Sequence, residues 1–386
     1  MPRGSTAKDE AQYNVTVLKG RTKIMSEANV KKISKKRIIL LACLALVGAI
    51  LLTVIGYVVY VFVDYKRIDD NEELQISNRS DAAAPVGEEL IIITYNIGFA
   101  AYTPEFSFFM DGGKYSRAKS EESVKTVMND IIRLLKSEDA DFLMLEEVDK
   151  KATRSHYVDE RRMLVDSLSD YDSVFAVNYD SSYLFYPLDE PHGKSLSGML
   201  TFSRYNITSS LRRSLPIETS LMKLVDLDRC YSVSRVPAEN GKELVLYTVH
   251  LSAYTSDGTI ATEQLKMLIS DMRSEYEKGN YVVCGGDFNK DLLGDSSVYF
   301  GISGEDQTWA QAFPLELLEG TGFSLVAPFN APSCRNADAP HHENQFVLTV
   351  DGFIVSDNVT VVEYGTVDLD FEYSDHDPVS MTFILK

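Results

Sequence analysis

The stretch YVVCGGDFNKD at 281–291 sets a carboxylate, Asp287, and an amide, Asn289, two residues apart directly after a pair of glycines. Comparable polar groups close other apolar runs. IIITYN ends at Asn96, FLMLEEVD carries Glu147 past its apolar part, and LVLYTVHL carries His250. VLTVDGFIVS has Asp351 embedded in it, and YSDHDPVSM places Asp375 and His376 before the last apolar run. Carboxylate and amide oxygens are what a hard cation such as Mg²⁺ takes while keeping some of its water. Such an ion polarises a phosphoryl oxygen and stabilises the charge that develops there. Histidines beside it could move protons or hydrogen-bond an oxyanion. A carboxylate partner such as Asp351 would fix a histidine tautomer and keep it charged. The combination suits cleavage of a phosphate ester.

Each residue alone has a commoner explanation. An asparagine after a strand is ordinarily a turn residue. A strand histidine is ordinarily a hydrogen-bonded core group, Glu147 beside Glu146, Asp149 and Lys150 could be a solvated strand exit, and Asp375 could cap a turn. The single explanations do not account for the set. Ligands of α/β sheets gather where strand ends meet, and these six strands would build one cleft.

The elements that must position them alternate from residue 88 onward. Strands are expected at 89–95, 141–146, 173–177, 198–203, 230–236, 244–250, 280–285, 350–355, 359–364 and 379–385. Ser120 is a helix N-cap, with Glu121 and Glu122 in the first turn. Val124, Val127, Met128, Ile131, Ile132 and Leu135 then share one helical face. A second helix is expected at 260–277 and a short one at 308–318, followed by a long loop of the kind that is often functional. The pattern predicts a single α/β domain over 88–386 with two sheets between helices.

Ile38 to Val63 is 26 residues without a charge. As a helix it would be about 39 Å long, enough to cross a hydrocarbon core of about 30 Å with some tilt. The apolar run is too long for a cleavable signal, and Asp64-Tyr65-Lys66-Arg67 follows it in place of a small-residue cleavage site. Five basic residues just before it (Lys31, Lys32, Lys35, Lys36, Arg37) outnumber Lys66 and Arg67 after it. Positive-inside orientation then makes 1–37 a cytoplasmic basic tail, 38–63 a single membrane span, 64–87 a linker and 88–386 an extracytoplasmic domain at the cell membrane. Residues 1–67 hold 12 Lys+Arg and 4 Asp+Glu of chain totals of 38 and 57, which leaves 68–386 with a net charge of −27. That charge repels a polyanion at long range and lowers the odds of a nucleic-acid partner. Four cysteines without metal-type spacing give no disulfide framework, and a Cys230–Cys334 bridge is left open.

The order and wording of the motifs resemble the endonuclease/exonuclease/phosphatase superfamily. The resembling words are TYN (94–96), DFLMLEEV (141–148), SGMLTFSRY (197–205), VHL (249–251), GGDFN (285–289), VDGFIVS (350–356) and SDHDPV (374–379). The resemblance implies a four-layer α/β sandwich of two mixed sheets flanked by helices, here preceded by one transmembrane helix. It implies that Glu147, Asp375 and Asn96 serve a metal, Mg²⁺ or Mn²⁺ in its place. It further implies that Asp287 orients or deprotonates the attacking water, that Asn289 holds the phosphate, and that His376 touches the scissile phosphate with Asp351 as its partner. His250 matches the second histidine of the deoxyribonuclease and sphingomyelinase branches. The family usually writes Gln-Glu where this chain has Glu146-Glu147, so an extra negative charge in the site is expected.

The expected function is Mg²⁺-dependent phosphoester hydrolysis at a membrane, on a phospholipid head group or a small phosphorylated molecule. A surface endonuclease and a catalytically inactive binding module are the alternatives. A nuclease would need a basic groove, for which Lys194, Arg212, Arg213 and Arg335 are the candidates. His156, His192, His341 and His342 receive no role.

Overall fold

β-Branched and aromatic residues draw the chain into two seven-stranded sheets. The computed structural model describes residues 34–77, 80–224, 226–253, 259–301 and 311–386. One sheet runs β1 (Glu72–Glu73), β7 (Ser209–Ser214), β8 (Cys230–Pro237), β9 (Glu243–His250), β10 (Tyr281–Asp287), β14 (Asp351–Ser356) and β11 (Phe323–Val326). The other runs β15 (Val359–Thr366), β16 (Val379–Leu385), β3 (Glu89–Asn96), β4 (Phe142–Ala152), β6 (Ser195–Ser203), β5 (Asp172–Asp180) and β2 (Ile76–Ser77). β12 (Cys334–Arg335) and β13 (Val347–Leu348) form a separate antiparallel pair. Both large sheets are mixed. β9 and β10 are parallel while β10 and β14 are antiparallel, and β3 and β4 are parallel while β16 and β3 are antiparallel.

Helix α1 spans Lys35–Asp64, α2 Glu121–Glu138, α3 Glu160–Ser167 and α4 Thr259–Glu277. Ser120 caps α2 as its residue type predicts. Its Oγ accepts from the Ser123 amide (3.0 Å), and Ser123 Oγ accepts from the Ser120 amide (2.9 Å). The six apolar residues expected on one face of α2 are its buried residues, and they pack on Leu143, Leu145, Leu200 and Phe202 of the second sheet. α4 covers the first sheet through Leu265, Leu268, Ile269 and Met272. Between the sheets, Ile92, Phe142, Met144 and Phe383 meet Leu244, Leu246, Val283 and Phe353. Burying one such side chain stabilises by about 1.5–3 kcal/mol, so these three interlayer cores dominate the fold. The order helix, sheet, sheet, helix is the four-layer arrangement expected.

The chain divides into two units, Met1–Tyr60 and Val61–Lys386. α1 is long and apolar enough to cross a membrane by length and composition, a test that a signal sequence also passes. In the stretch 64–87, β1 pairs with β7, β2 pairs with β5, and buried Ala84 bridges Ala238. Among the longer elements, β7 and α3 escape sequence reading. β7 is SSLRRS, with no apolar alternation, and the short α3 buries one leucine, Leu164. Of the helix expected over 308–318, residues 308–310 lie outside the described residues, and Leu315–Leu318 forms one 3-10 turn. The long loop expected after it contains β11, β12 and β13. The Cys230–Cys334 bridge is not formed, since all four cysteines are free. Cys230 packs with Ala176 and Met199, whereas Cys334 packs with Leu348 and Val350.

Candidate active site

Sheet register brings three of the chemical residues into line. His250 at the end of β9, Asp287 at the end of β10 and Asp351 at the start of β14 are direct neighbours across adjacent strands. The two glycines before Asp287 answer separate steric demands. A Cβ on Gly286 would lie 2.0 Å from the Val249 carbonyl oxygen, and its φ of +146° belongs to glycine. A Cβ on Gly285 would lie 2.6 Å from the Phe353 ring and 2.9 Å from Met144 Sδ, where the sheets pack. Beyond them Asn289 sits at φ 50° and folds back on Asp287. Asp287 Oδ1 accepts from the Asn289 amide (2.8 Å), and Oδ2 accepts from Asn96 Nδ2 and Asn289 Nδ2 (both 3.2 Å).

Two histidines flank Asp287 Oδ2, with His250 Nε2 at 3.6 Å and His376 Nε2 at 3.9 Å. Their charge states differ. Burial, helped by Arg229 and His376, holds His250 well below the ordinary histidine range, so it is neutral. Its Nδ1 is buried without a hydrogen-bond partner. Burial opposes charge on His376 as well, but Asp351 outweighs it and holds that ring well above the ordinary range. His376 Nδ1 donates to Asp351 Oδ2 (2.8 Å), which also accepts from Ser333 Oγ (2.7 Å). Burial and the Asp351 charge push Asp287 up to about 7, against the pull of His376.

The second sheet ends differently. Asn96 lies beside Glu146 across β3 and β4, and the β4–β6 register breaks between Leu145 and Val148. At this bulge Glu147 takes φ 56°, a strained conformation of the kind found at functional sites. The bulge separates two adjacent glutamates. Glu146 is fully buried, with Thr94 Oγ1 donating to it at 3.3 Å. Burial, with Asp351 and Asp287 nearby, pushes its carboxyl well above the usual range, so it is neutral. Burial therefore works against the extra negative charge expected from Glu146-Glu147. Glu147 instead stays partly exposed and meets Arg154 Nη1 at 3.4 Å. Asp375 follows Ser374, whose Oγ donates to the Asn96 carbonyl (2.8 Å). Burial, with a further push from the Glu147 charge, raises the Asp375 pKa.

Part-exposed Glu147, whose charge bears on buried Asp375, gives with it a hard-oxygen donor pair that a divalent cation would relieve. Glu147, Asp375 and Asn96 fit one on those grounds. A second grouping, Asp287, Asp351 and His376, places ligand-type atoms within 4.8 Å of one another. There His376 Nδ1 is already engaged by Asp351 (2.8 Å), an arrangement that suits proton handling.

The structure brings all eight expected residues to one end of the sheets, and it adds others. Arg154 is buried, donates to Asp149 (2.9 Å) and lies 4.0 Å from the Phe99 ring, which holds its guanidinium beside Glu147. Ser333 props Asp351, and Arg229 Nη1 approaches the His250 carbonyl (3.4 Å). No sequence word marks them, because their relation to the site is made by tertiary contact. The four basic groove candidates are all engaged, Arg335 beside the cleft, where its charge bears on Asp375. Arg212 is buried against the carbonyls of Val177, Asp69 and Asp228, and Arg335 against those of Tyr102 and Thr103. Arg213 pairs with Asp70 and Asp271, and Lys194 with Asp64. The unassigned histidines hold loops. His156 Nε2 meets the Ala118 carbonyl (2.7 Å), and His341 bridges Gln345 and Asp370. His192 Nδ1 meets the Ser116 carbonyl, and burial takes its pKa down to about 4. His342 is exposed.

No curated protein matches the sequence. Solved structures of similar fold include an endonuclease/exonuclease/phosphatase from Beutenbergia cavernae DSM 12333, at 19% identity and TM-score 0.53, covering 77% of this chain and 72% of that one. Another, from Bacteroides vulgatus, has 15% identity and TM-score 0.51 over 78% of this chain and all of that one. ANGEL2, described as a 2',3'-cyclic phosphatase, has 16% identity and TM-score 0.52 over 81% of this chain and 99% of its own. At these identities the likeness shows the fold. The model of the Endonuclease/Exonuclease/phosphatase family matches residues 93–376, a span that contains every strand-end residue described above. With most of its length matched in this way, the chain belongs to the endonuclease/exonuclease/phosphatase family.

Proposed function

We propose that this chain is a Mg²⁺-dependent phosphoesterase, anchored by α1 with its body outside the cytoplasm, that hydrolyses a phospholipid head group or a small phosphate ester. The observation that carries the reading is the meeting of Asp287, neutral His250 and charged His376 at one point beside the Glu147–Asp375 pair. Asp287, with a pKa near 7, takes a proton from the water that attacks phosphorus. As the new O–P bond forms, the bond to the leaving oxygen breaks on the opposite side. Charged His376 donates toward the phosphoryl group and can return a proton to the leaving oxygen. Neutral His250 and Asn96 stabilise the phosphoryl oxygens as hydrogen-bond donors, while Asn289, whose Nδ2 donates to the Leu251 carbonyl and Asp287, holds the base in place. Glu147, Asp375 and Asn96 would hold Mg²⁺, or Mn²⁺ in its place, which when bound supplies Lewis-acid polarisation of a phosphoryl oxygen.

The net charge of −27 and the engaged state of Arg212, Arg213, Lys194 and Arg335 favour a small or lipid substrate over DNA. The test is turnover by the detergent-solubilised full chain, beside Asp287→Ala, on three substrates with Mg²⁺. These are supercoiled plasmid, phosphatidylcholine micelles and bis(p-nitrophenyl) phosphate. Release of head group or nitrophenol, lost in the mutant, is expected. Plasmid nicking alone would make the protein a surface nuclease. No turnover, with no rise in melting temperature on adding Mg²⁺, would make it a binding module.

A further inference from the structure

An exposed apolar ridge stands on the same end of the domain as the cleft. Phe185, Tyr186 and Leu188 are 50%, 69% and 85% exposed, and Met110 on the neighbouring loop is 58% exposed. Such a patch of aromatic and aliphatic side chains marks an interaction site. It is seated firmly. Leu184 and Gly193 exchange backbone hydrogen bonds (2.9 and 3.0 Å), and Phe109 packs on Tyr186 with ring centroids 5.7 Å apart. Arg117 Nε donates to the Pro191 carbonyl (2.6 Å), and Ser116 Oγ donates to that of Glu190.

Two connections give the ridge its meaning. The first leads to the membrane segment. Lys194, just after the ridge loop, pairs with Asp64, the last residue of α1, at 3.1 Å. The second leads to the cleft. The Lys194 carbonyl accepts from the Thr153 amide (2.8 Å), and the next residue, Arg154, meets Glu147. The rings of Phe99, Tyr102, Phe108, Phe109 and Tyr186 continue the path, each within 5.7 Å of the next. Asp64, in the same unit as the body, therefore lies beside the base of the ridge loop, and that loop joins β5 and β6 at the cleft's end of the second sheet.

We infer that residues 185–188, with Met110, insert into the interfacial layer of the bilayer that α1 crosses and hold the cleft mouth toward lipid head groups. This rests on the anchored-phosphoesterase reading and narrows its substrate to the head group of a bilayer phospholipid. Tyrosine and phenylalanine suit that layer, where an apolar ring body and a polar tip are both accommodated. The ridge tip at 185–188 carries no cation, so zwitterionic lipid suffices.

The test uses the full chain with Trp309→Phe, reconstituted in phosphatidylcholine vesicles whose acyl chains are brominated. Tryptophan is placed at the ridge by Leu188→Trp or, as a control, on β15 at the opposite edge of the second sheet by Val362→Trp. The ridge tryptophan should shift to shorter wavelength and be quenched by the brominated chains, while the control stays accessible to acrylamide. In a separate variant, Phe185→Ser, Tyr186→Ser and Leu188→Ser together should slow turnover of vesicle-borne phosphatidylcholine by about tenfold or more. Hydrolysis of soluble bis(p-nitrophenyl) phosphate by the same variant should be unchanged. A chain that resists alkaline carbonate extraction but leaves the ridge tryptophan unquenched by lipid overturns the ridge alone. Shielding from acrylamide without lipid quenching overturns it in favour of a protein partner. Release by carbonate overturns the anchor and the ridge with it. Quenching without any hydrolysis leaves the ridge standing and sinks the phosphoesterase reading instead.

Discussion

His250 and Asp287 end β9 and β10 and Asp351 opens β14, whereas Asn96 ends β3 and Glu146 and Glu147 sit at a bulge within β4. Both sets face one cleft, yet the chain treats them differently. On the first sheet the groups are buried, and desolvation and mutual charge set their protonation. On the second a bulge turns one glutamate inward as a neutral core group and leaves its neighbour part-exposed. The difference follows from the two tasks. A base must be desolvated until its pKa nears the working pH. A metal carboxylate must keep its charge and leave room for water on the ion.

The largest effects should separate these halves. Asp287→Ala should cut turnover by roughly 10²–10⁴-fold, the usual range for losing an acid–base group. It should leave the Mg²⁺-induced rise in melting temperature intact. Glu147→Gln should abolish turnover and that rise together. A ligand specific to the folded state stabilises by about 2.7 kcal/mol at a hundredfold excess over Kd, which differential scanning fluorimetry reads easily. If Asp287→Ala removes the Mg²⁺ response and Glu147→Gln does not, the two halves have been assigned the wrong way round.

pH dependence should come next in size. With Asp287 near 7, turnover should rise as pH climbs through 7, and that limb should be missing from the residual rate of Asp287→Ala. Stability should move the opposite way. Asp287 and Asp377 are both raised from an ordinary 3.8 to about 7. Between those values the folded state keeps protons that the unfolded chain has released. The stabilisation is complete below about pH 4 and is lost as pH rises through 7. In metal-free buffer the melting temperature should therefore fall from pH 5 to pH 7.5. A flat profile would mean the cleft is wetter than its burial indicates.

Much of the comparison could be read before folding, and the unreadable part has physical causes. Asp287, Asn289, Asp375 and His376 fall in short words at the ends of strongly apolar strands, where period and turn residues agree. Glu146 and Glu147 could not be told apart. Which of the two faces the core depends on a bulge that shifts register by one, and register in turn decides every side chain's face. Ser333 reaches Asp351 from a loop eighteen residues upstream, and Arg229 reaches His250 across neighbouring strands. Such contacts leave no periodic trace. β7 shows no strand pattern of its own because its pairing with β8 holds it.

The smallest effect tests whether the metal half needs its own buried support. Arg154 is fixed by Asp149 on one side and the Phe99 ring on the other, and only then reaches Glu147 at 3.4 Å. That distance is long for a strong ion pair, so its contribution is orientation of a strained residue more than neutralisation. Arg154→Lys keeps the charge but loses the planar fork that spans both carboxylates. Mg²⁺ affinity, followed through the melting temperature across a titration, should weaken by about ten- to a hundredfold, as for outer partners of metal ligands generally. The pH limb near 7 should not move, because Asp287 lies in the other half of the cleft. A shift of that limb would show that the two sheets are electrostatically one unit, and the division drawn here between proton handling and metal binding would have to be given up.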